Sequence, residues 1–196
     1  SALAFMLSLI WLWLAAARDR GEQPEWTTFD PVLAARWRNR LAWISAATLF
    51  TLFSGAFVST TAGANTSCGV NGLYDSWPLC QGEFLPSIHD WVMQSQVIHR
   101  WLVVAVEVAL LAASYIIWKE IEGGQSGSTL CKLIWGATGL YLVNIGIGAS
   151  YILSWDMTDG YLEYLSLVHL MLASLTFLVL ATAWLGSMIA LNERGS

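Results

Sequence analysis

The stretch that decides the fold is Val97-Ile98-His99-Arg100-Trp101-Leu102-Val103-Val104-Ala105-Val106-Glu107, which continues without another charge to Tyr115-Ile116-Ile117-Trp118. As a helix, the run 97–118 is long enough to cross about 30 Å of hydrocarbon. It carries a histidine and an arginine near its start and a carboxylate in its middle. Ionisable side chains inside a span are costly, face the bundle interior and mark functional positions.

Working outward, comparable runs occur at 2–17, 41–61, 132–154 and 162–190. Of the 196 residues, 56% are hydrophobic and 12% charged, against about 25% charged in a soluble domain. The 12 tryptophans suit the two membrane interfaces. The chain is therefore read as an all-α membrane protein. Lipid is its first partner. No basic patch stands away from the membrane flanks, which excludes a nucleic-acid partner.

The basic residues set the orientation. Arg18, Arg20, Arg36, Arg38 and Arg40 fall in 18–40; Lys119 and Lys132 edge the next loop on that side, and Arg194 lies in the tail 191–196. The loops 62–96 and 155–161 hold no Lys or Arg, only acidic residues such as Asp75, Glu83, Asp90, Asp156 and Asp159. The expectation is an integral protein of the plasma (inner) membrane. Its chain start and acidic loops lie outside, and its basic linker 18–40 and C-terminus are cytoplasmic.

The spans of 41–190 pair as two hairpins. In each, the chain runs outward, crosses an acidic loop and returns on a helix with a histidine near its start: His99 in one, His169 in the other. This weak repeat predicts a four-helix transmembrane bundle with a pseudo-two-fold axis along the membrane normal, plus one extra N-terminal transmembrane helix. Gly123-Gly124-Gln125-Ser126-Gly127-Ser128 reads as a flexible linker between the hairpins. The first helix, opening on Ser1-Ala2-Leu3-Ala4-Phe5, reads as one cut off at its N-terminal end. It has no basic leader region and is not a convincing signal peptide.

Each histidine admits two readings: a polar residue hydrogen-bonded across the bundle, or an axial ligand of haem iron. At 1.5 Å per residue both sit roughly 5–10 Å inside their helix starts, so two imidazoles at matched depth could grip one macrocycle from both faces. Arg100 could pair with haem propionates or snorkel to lipid phosphate. Glu107 lies about two turns below His99 and some 80° round the helix. It is either functional or a protonated side chain bonded to a neighbour such as Asn144. Small residues at Ser54, Gly55, Ser59, Gly136, Gly139, Gly146, Gly148, Ala173 and Thr176 mark either close helix contacts or room for a porphyrin.

Cys68 and Cys80 share the long outer loop. An oxidising location favours a structural disulfide between them. Thiol–disulfide exchange and metal binding with His89 are the alternatives. Cys131, at the inner end of helix four, is read as a free thiol.

The segment Ser54-Gly55-Ala56-Phe57-Val58, then Cys68, then Trp77-Pro78-Leu79-Cys80-Gln81-Gly82 leading to His99-Arg100, resembles the haem A synthase family of cytochrome oxidase assembly. So does the stretch from Asn144 through Gly146 and Gly148 to His169-Leu170 and Ala173. The resemblance covers 41–190. It implies an oxidoreductase that converts a haem O methyl group to the formyl group of haem A, built from two four-helix halves. It also implies haem b as cofactor of one half, held by His99 and His169 with Arg100 nearby, and haem O or haem A as substrate or product.

The catalytic half of the family carries Glu three residues before its first histidine. Gln96 stands there, so 41–190 resembles the haem b-binding half, and catalysis by it alone is in doubt. Residues 1–17 then resemble the end of a preceding half. The implied partners are that N-terminal half or a second copy, and haem O synthase or a respiratory complex. One departure is the spacing of Cys68 and Cys80, twelve positions apart, wider than in the usual family loop. A b-type cytochrome subunit that only passes electrons is the competing reading.

Overall fold

A computed structural model describes residues 2–22, 24, 29–87, 90–122, 128–158 and 160–192. The expected linker glycines and serines at 123–127, His89, Asp159 and Arg194 lie outside the described residues. The elements are α1 (Ala2–Asp19), α2 (Pro31–Thr60), a single 3-10 turn (Ala64–Thr66), α3 (Trp91–Glu122), α4 (Ser128–Thr158) and α5 (Glu163–Asn192). Four helices, α2 to α5, are long and apolar enough to cross a membrane. Among the described residues, β-structure is confined to isolated bridges in the loop after α2. The all-α membrane fold is as expected.

The helices are longer than the apolar runs that announced them. α2 starts at Pro31, ten residues before the expected span at 41, so much of the expected basic linker 18–40 is helical. Asp30 explains the early start. Its Oδ1 accepts from the backbone N–H groups of Val32 and Leu33, both at 2.9 Å, and Pro31 takes the first helical position, where no N–H is needed. Asp90 caps α3 in the same way, accepting from Met93 N–H at 2.8 Å, which moves that helix start from 97 to 91.

The chain divides into two compact units. The first comprises Ser1–Thr48, Val108–Gly139 and Ser174–Ser196. Its core is built on Leu33, Trp37, Leu41, Ile117, Leu130 and Ile134. The spacing of Leu33, Trp37 and Leu41 puts them on one face of α2. Trp37 is fully buried, and its indole N–H donates to Glu120 at 2.7 Å. Arg36 and Arg40 flank the same carboxylate at 3.6 and 3.4 Å. One acid on α3 thus collects three donors from α2.

The second unit comprises Leu49–Glu107 and Leu140–Ala173. It contains the loop after α2, both imidazoles and the disulfide. Arg100 is its one basic residue, whereas Arg18, Arg20, Arg36, Arg38, Arg40, Lys119 and Lys132 all belong to the first unit.

Candidate functional site

The two histidines occupy equivalent settings. His99 on α3 lies against Gly55 of α2, where an added Cβ would stand 2.9 Å from the imidazole Cε1. His169 on α5 lies against Gly148 of α4, where the same distance would be 2.8 Å. Only glycine lets the ring approach the neighbouring helix this closely. Gly136, Gly139 and Gly146 have nothing within 4 Å of such a Cβ, so of these glycines Gly55 and Gly148 make the close contacts, both to a histidine, and the other three leave open space.

Hydrogen bonding fixes the tautomers. His169 Nδ1 lies 2.9 Å from the Asn144 carbonyl oxygen. A carbonyl only accepts, so Nδ1 carries the proton. His99 Nδ1 lies 2.8 Å from Ser54 Oγ. The hydroxyl has one proton and gives it to the Thr51 carbonyl at 2.7 Å, so Ser54 accepts and His99 Nδ1 also donates. In a neutral imidazole with its proton on Nδ1, Nε2 is free to ligate a metal, and here each Nδ1–H has an outer acceptor to hold it.

Among the described residues no group of three or more His, Cys, Asp or Glu side chains gathers to hold a bare ion. Two imidazoles suffice for iron in haem, because the macrocycle supplies the remaining four bonds. The donor set and the ring settings fit that group.

Arg100 does not reach out to lipid. Its guanidinium donates to the carbonyls of Leu79 and Ser76 at 2.5 and 2.7 Å, which clamps the outer loop to α3. Two bonds leave further N–H donors of the five available. Beside it, a small pocket is lined by Pro78, Cys80, Phe84, Val97 and Trp101, with Phe84 edge-on to Trp101 at 4.6 Å between centroids.

Cys68 and Cys80 form the structural disulfide, with S–S at 2.04 Å. It is buried against Met93 and Val97 of α3. The loop is stitched further by Gln81 N–H to the Cys68 carbonyl at 3.0 Å and by Gln81 Nε2 to the Ser67 carbonyl at 3.1 Å. Tyr161, ahead of α5, donates to the Asn65 carbonyl at 2.8 Å and stacks on Tyr151. Burial and the neighbouring Tyr151 push its phenol up to about 12. Cys131 is a free thiol, as expected.

Gln96 is buried, and its amide donates to the Ala64 carbonyl at 3.3 Å. Glu107 is buried too, but the expected bond to Asn144 is not formed. Both Glu107 oxygens and Asn144 Oδ1 lack a hydrogen-bond partner. The Asn144 atom that does bond is its main-chain carbonyl, committed to His169.

Sequence reasoning missed the acceptors of the two imidazoles. Ser54 was visible only as a small residue, and a backbone carbonyl leaves no trace in a sequence. The spacing of Asn144 and Gly148, one helical turn, was the available signal.

Long apolar helices that set two imidazoles against glycines define an all-α integral membrane protein with a paired-histidine site. Residues 1–181 match the family of cytochrome oxidase assembly proteins, COX15-CtaA, and the chain belongs to that family. A curated relative described as "Heme A synthase", from Oceanobacillus iheyensis, is 27% identical over 119 residues, which cover 61% of this chain and 36% of the relative. The matched part thus spans about a third of that relative's length. No solved structure matches the chain.

Proposed function

We propose that this chain is the haem b-binding part of a haem A synthase, and that His99 and His169 hold the iron through their two Nε2 atoms. The observation that carries the reading is the pair of Nδ1–H donors, one to Ser54 and one to Asn144, which leaves both Nε2 lone pairs for a metal. Haem ligated in this way supplies a one-electron redox centre. Gly55 and Gly148 set the depth of the rings, and the Ser54 and Asn144 acceptors keep them in the ligating tautomer. Arg100 keeps donors free for a propionate while it holds the loop as a cover over the site.

Gln96 supports a relay rather than a catalytic role for this part of the protein. Its amide is spent on the Ala64 carbonyl, and an amide cannot act as general base. Oxidation of haem O to haem A belongs, in this reading, to a counterpart half supplied upstream or by a second copy. Haem O synthase or a respiratory complex is the neighbour that such a product would require. The same observation favours one alternative, a b-type cytochrome subunit that only passes electrons.

The test is optical. The purified protein is expected to show a low-spin b-type spectrum, with His99→Ala and His169→Ala each losing it. Unchanged spectra in both variants would refute the ligation. Extracted pigment separates the two functional readings: haem O or haem A beside haem b supports the synthase, and haem b alone supports the cytochrome.

A further inference from the structure

Glu107 is 8% exposed, Asn144 4%, Tyr141 3% and Thr51 4%, and all four belong to the second unit. Tyr141 of α4 lies near enough to Glu107 of α3 to feel its charge, and Asn144 stands three residues from Tyr141, on the same face of α4. Two helices, α3 and α4, therefore bring buried polar groups near one another inside the span. Neither oxygen of Glu107 nor Asn144 Oδ1 reaches a protein partner. Leaving such groups dry in hydrocarbon costs several kcal/mol each, and buried water bridging them is the usual remedy.

Asn144 ties this pocket to the candidate haem site. Its side-chain oxygen lacks a hydrogen-bond partner, while its main-chain carbonyl takes the Nδ1–H of His169. Glu107 itself stands eight residues from His99 on α3, about 12 Å along the axis. At that range, in low dielectric, a unit of charge at the iron is felt by a carboxyl group.

We propose that Glu107, Asn144 and Tyr141 enclose a buried water site at which Glu107 exchanges a proton in step with the redox state of the haem held by His99 and His169. The proposal rests on the haem reading above. When one electron leaves the site for a one-electron acceptor, Glu107 releases one proton to the buried water. When an electron returns, Glu107 takes a proton back. The added positive charge of the oxidised site favours the carboxylate, and its loss favours the acid.

The surroundings leave Glu107 as the group able to do this. From α4, Tyr141 faces it, while Tyr151 and Asp156 lie toward the other end of the unit. The α2 segment Leu49–Thr60 has no titratable side chain. The α5 segment brings His169, with Glu163 and Tyr164 farther along. Arg100 is about two turns away on α3 and is bound to the loop.

The experiment is an equilibrium redox titration of the purified, haem-loaded protein with dye mediators across the pH range in which it is stable. The wild-type midpoint potential is expected to fall with rising pH, approaching about 59 mV per tenfold change in proton concentration where the coupling is complete. Glu107→Gln is expected to keep the low-spin spectrum and lose the pH dependence. A flat wild-type profile, or an equal slope in the variant, overturns the proposal.

Should Glu107→Gln fail to retain haem, redox-difference infrared spectra of the wild-type protein decide. A protonated-carboxyl band that shifts in deuterium oxide and moves in Glu107→Asp supports the assignment, and no such band overturns it. Absence of a low-spin spectrum in the wild-type protein is a different failure, since it removes the haem reading and this proposal with it.

Discussion

The backbone of Gly148 lies against the imidazole of His169 so closely that a Cβ there would stand 2.8 Å from Cε1 and 3.0 Å from Nδ1. The glycine and the Asn144 carbonyl, one turn apart on α4, together fix where the ring sits and which nitrogen keeps its proton. Gly55 and Ser54 do the same for His99 from α2. Gly148→Ala and Gly55→Ala are therefore expected to push the rings off their acceptors and to lower haem affinity at least tenfold. Gly146→Ala, with nothing within 4 Å of the new methyl, is expected to bind haem normally. Haem titration of the three variants checks this. Equal affinity in all three would show that the glycines do not shape the site.

Much of this arrangement was legible before the structure. Apolar runs announced α2 to α5, and the matched placing of His99 and His169 announced the pair. The helix starts were not legible from hydropathy, because Asp30-Pro31 and Asp90 extend α2 and α3 into polar sequence by capping, a local effect that a hydropathy run does not register. The hydrogen-bond partners were hidden for another reason. Main-chain carbonyls of Asn144, Thr51, Ser76, Leu79 and Ala64 supply most of them, and any residue type could offer the same atom. Glu107 illustrates the converse: a pairing with Asn144 was chemically reasonable, yet the Asn144 side-chain oxygen has no partner and its main-chain carbonyl bonds His169.

The disulfide is expected to matter for the outer loop more than for the helices. It closes a loop of 12 residues' separation, which in the chain-entropy picture stabilises by about 3 kcal/mol. The apolar helices keep their own packing without it. In Cys68→Ser/Cys80→Ser, proteolysis within 69–79 should become markedly faster and haem should dissociate sooner, while helical content stays the same. Loss of helical circular dichroism in the double variant would contradict this division of labour.

The expected sidedness rests on charge. The described basic residues other than Arg100 belong to the first unit, and cationic segments stay on the cytoplasmic side. Arg38 and Leu73 are both exposed, which makes them suitable probes. In a Cys131→Ser background, a cysteine at position 73 should react with a membrane-impermeant maleimide in intact cells, and a cysteine at position 38 only after lysis. Labelling of position 38 in intact cells would reverse the orientation and put the imidazoles near the cytoplasmic face.

Gln96→Glu tests whether the proposed relay role resides in one residue. In the buried setting of Gln96, the amide nitrogen donates to the Ala64 carbonyl at 3.3 Å. A carboxylate there has no proton to give, so the carbonyl loses its donor and faces a like partial charge. Leaving buried polar groups unmatched in this way costs about 1–3 kcal/mol. The loss should fall on the junction between the 3-10 turn and α3, next to the disulfide. Hydrogen exchange at 64–69 should accelerate in Gln96→Glu, and the low-spin spectrum should persist because His99 keeps Ser54 and Gly55. In cells that make haem O and have no other synthase, the variant is expected to form no haem A, since the new carboxyl sits against a loop carbonyl. Haem A formed by Gln96→Glu, with exchange at 64–69 unchanged, would show that the position faces the macrocycle and that a single amide separates a relay from a catalyst.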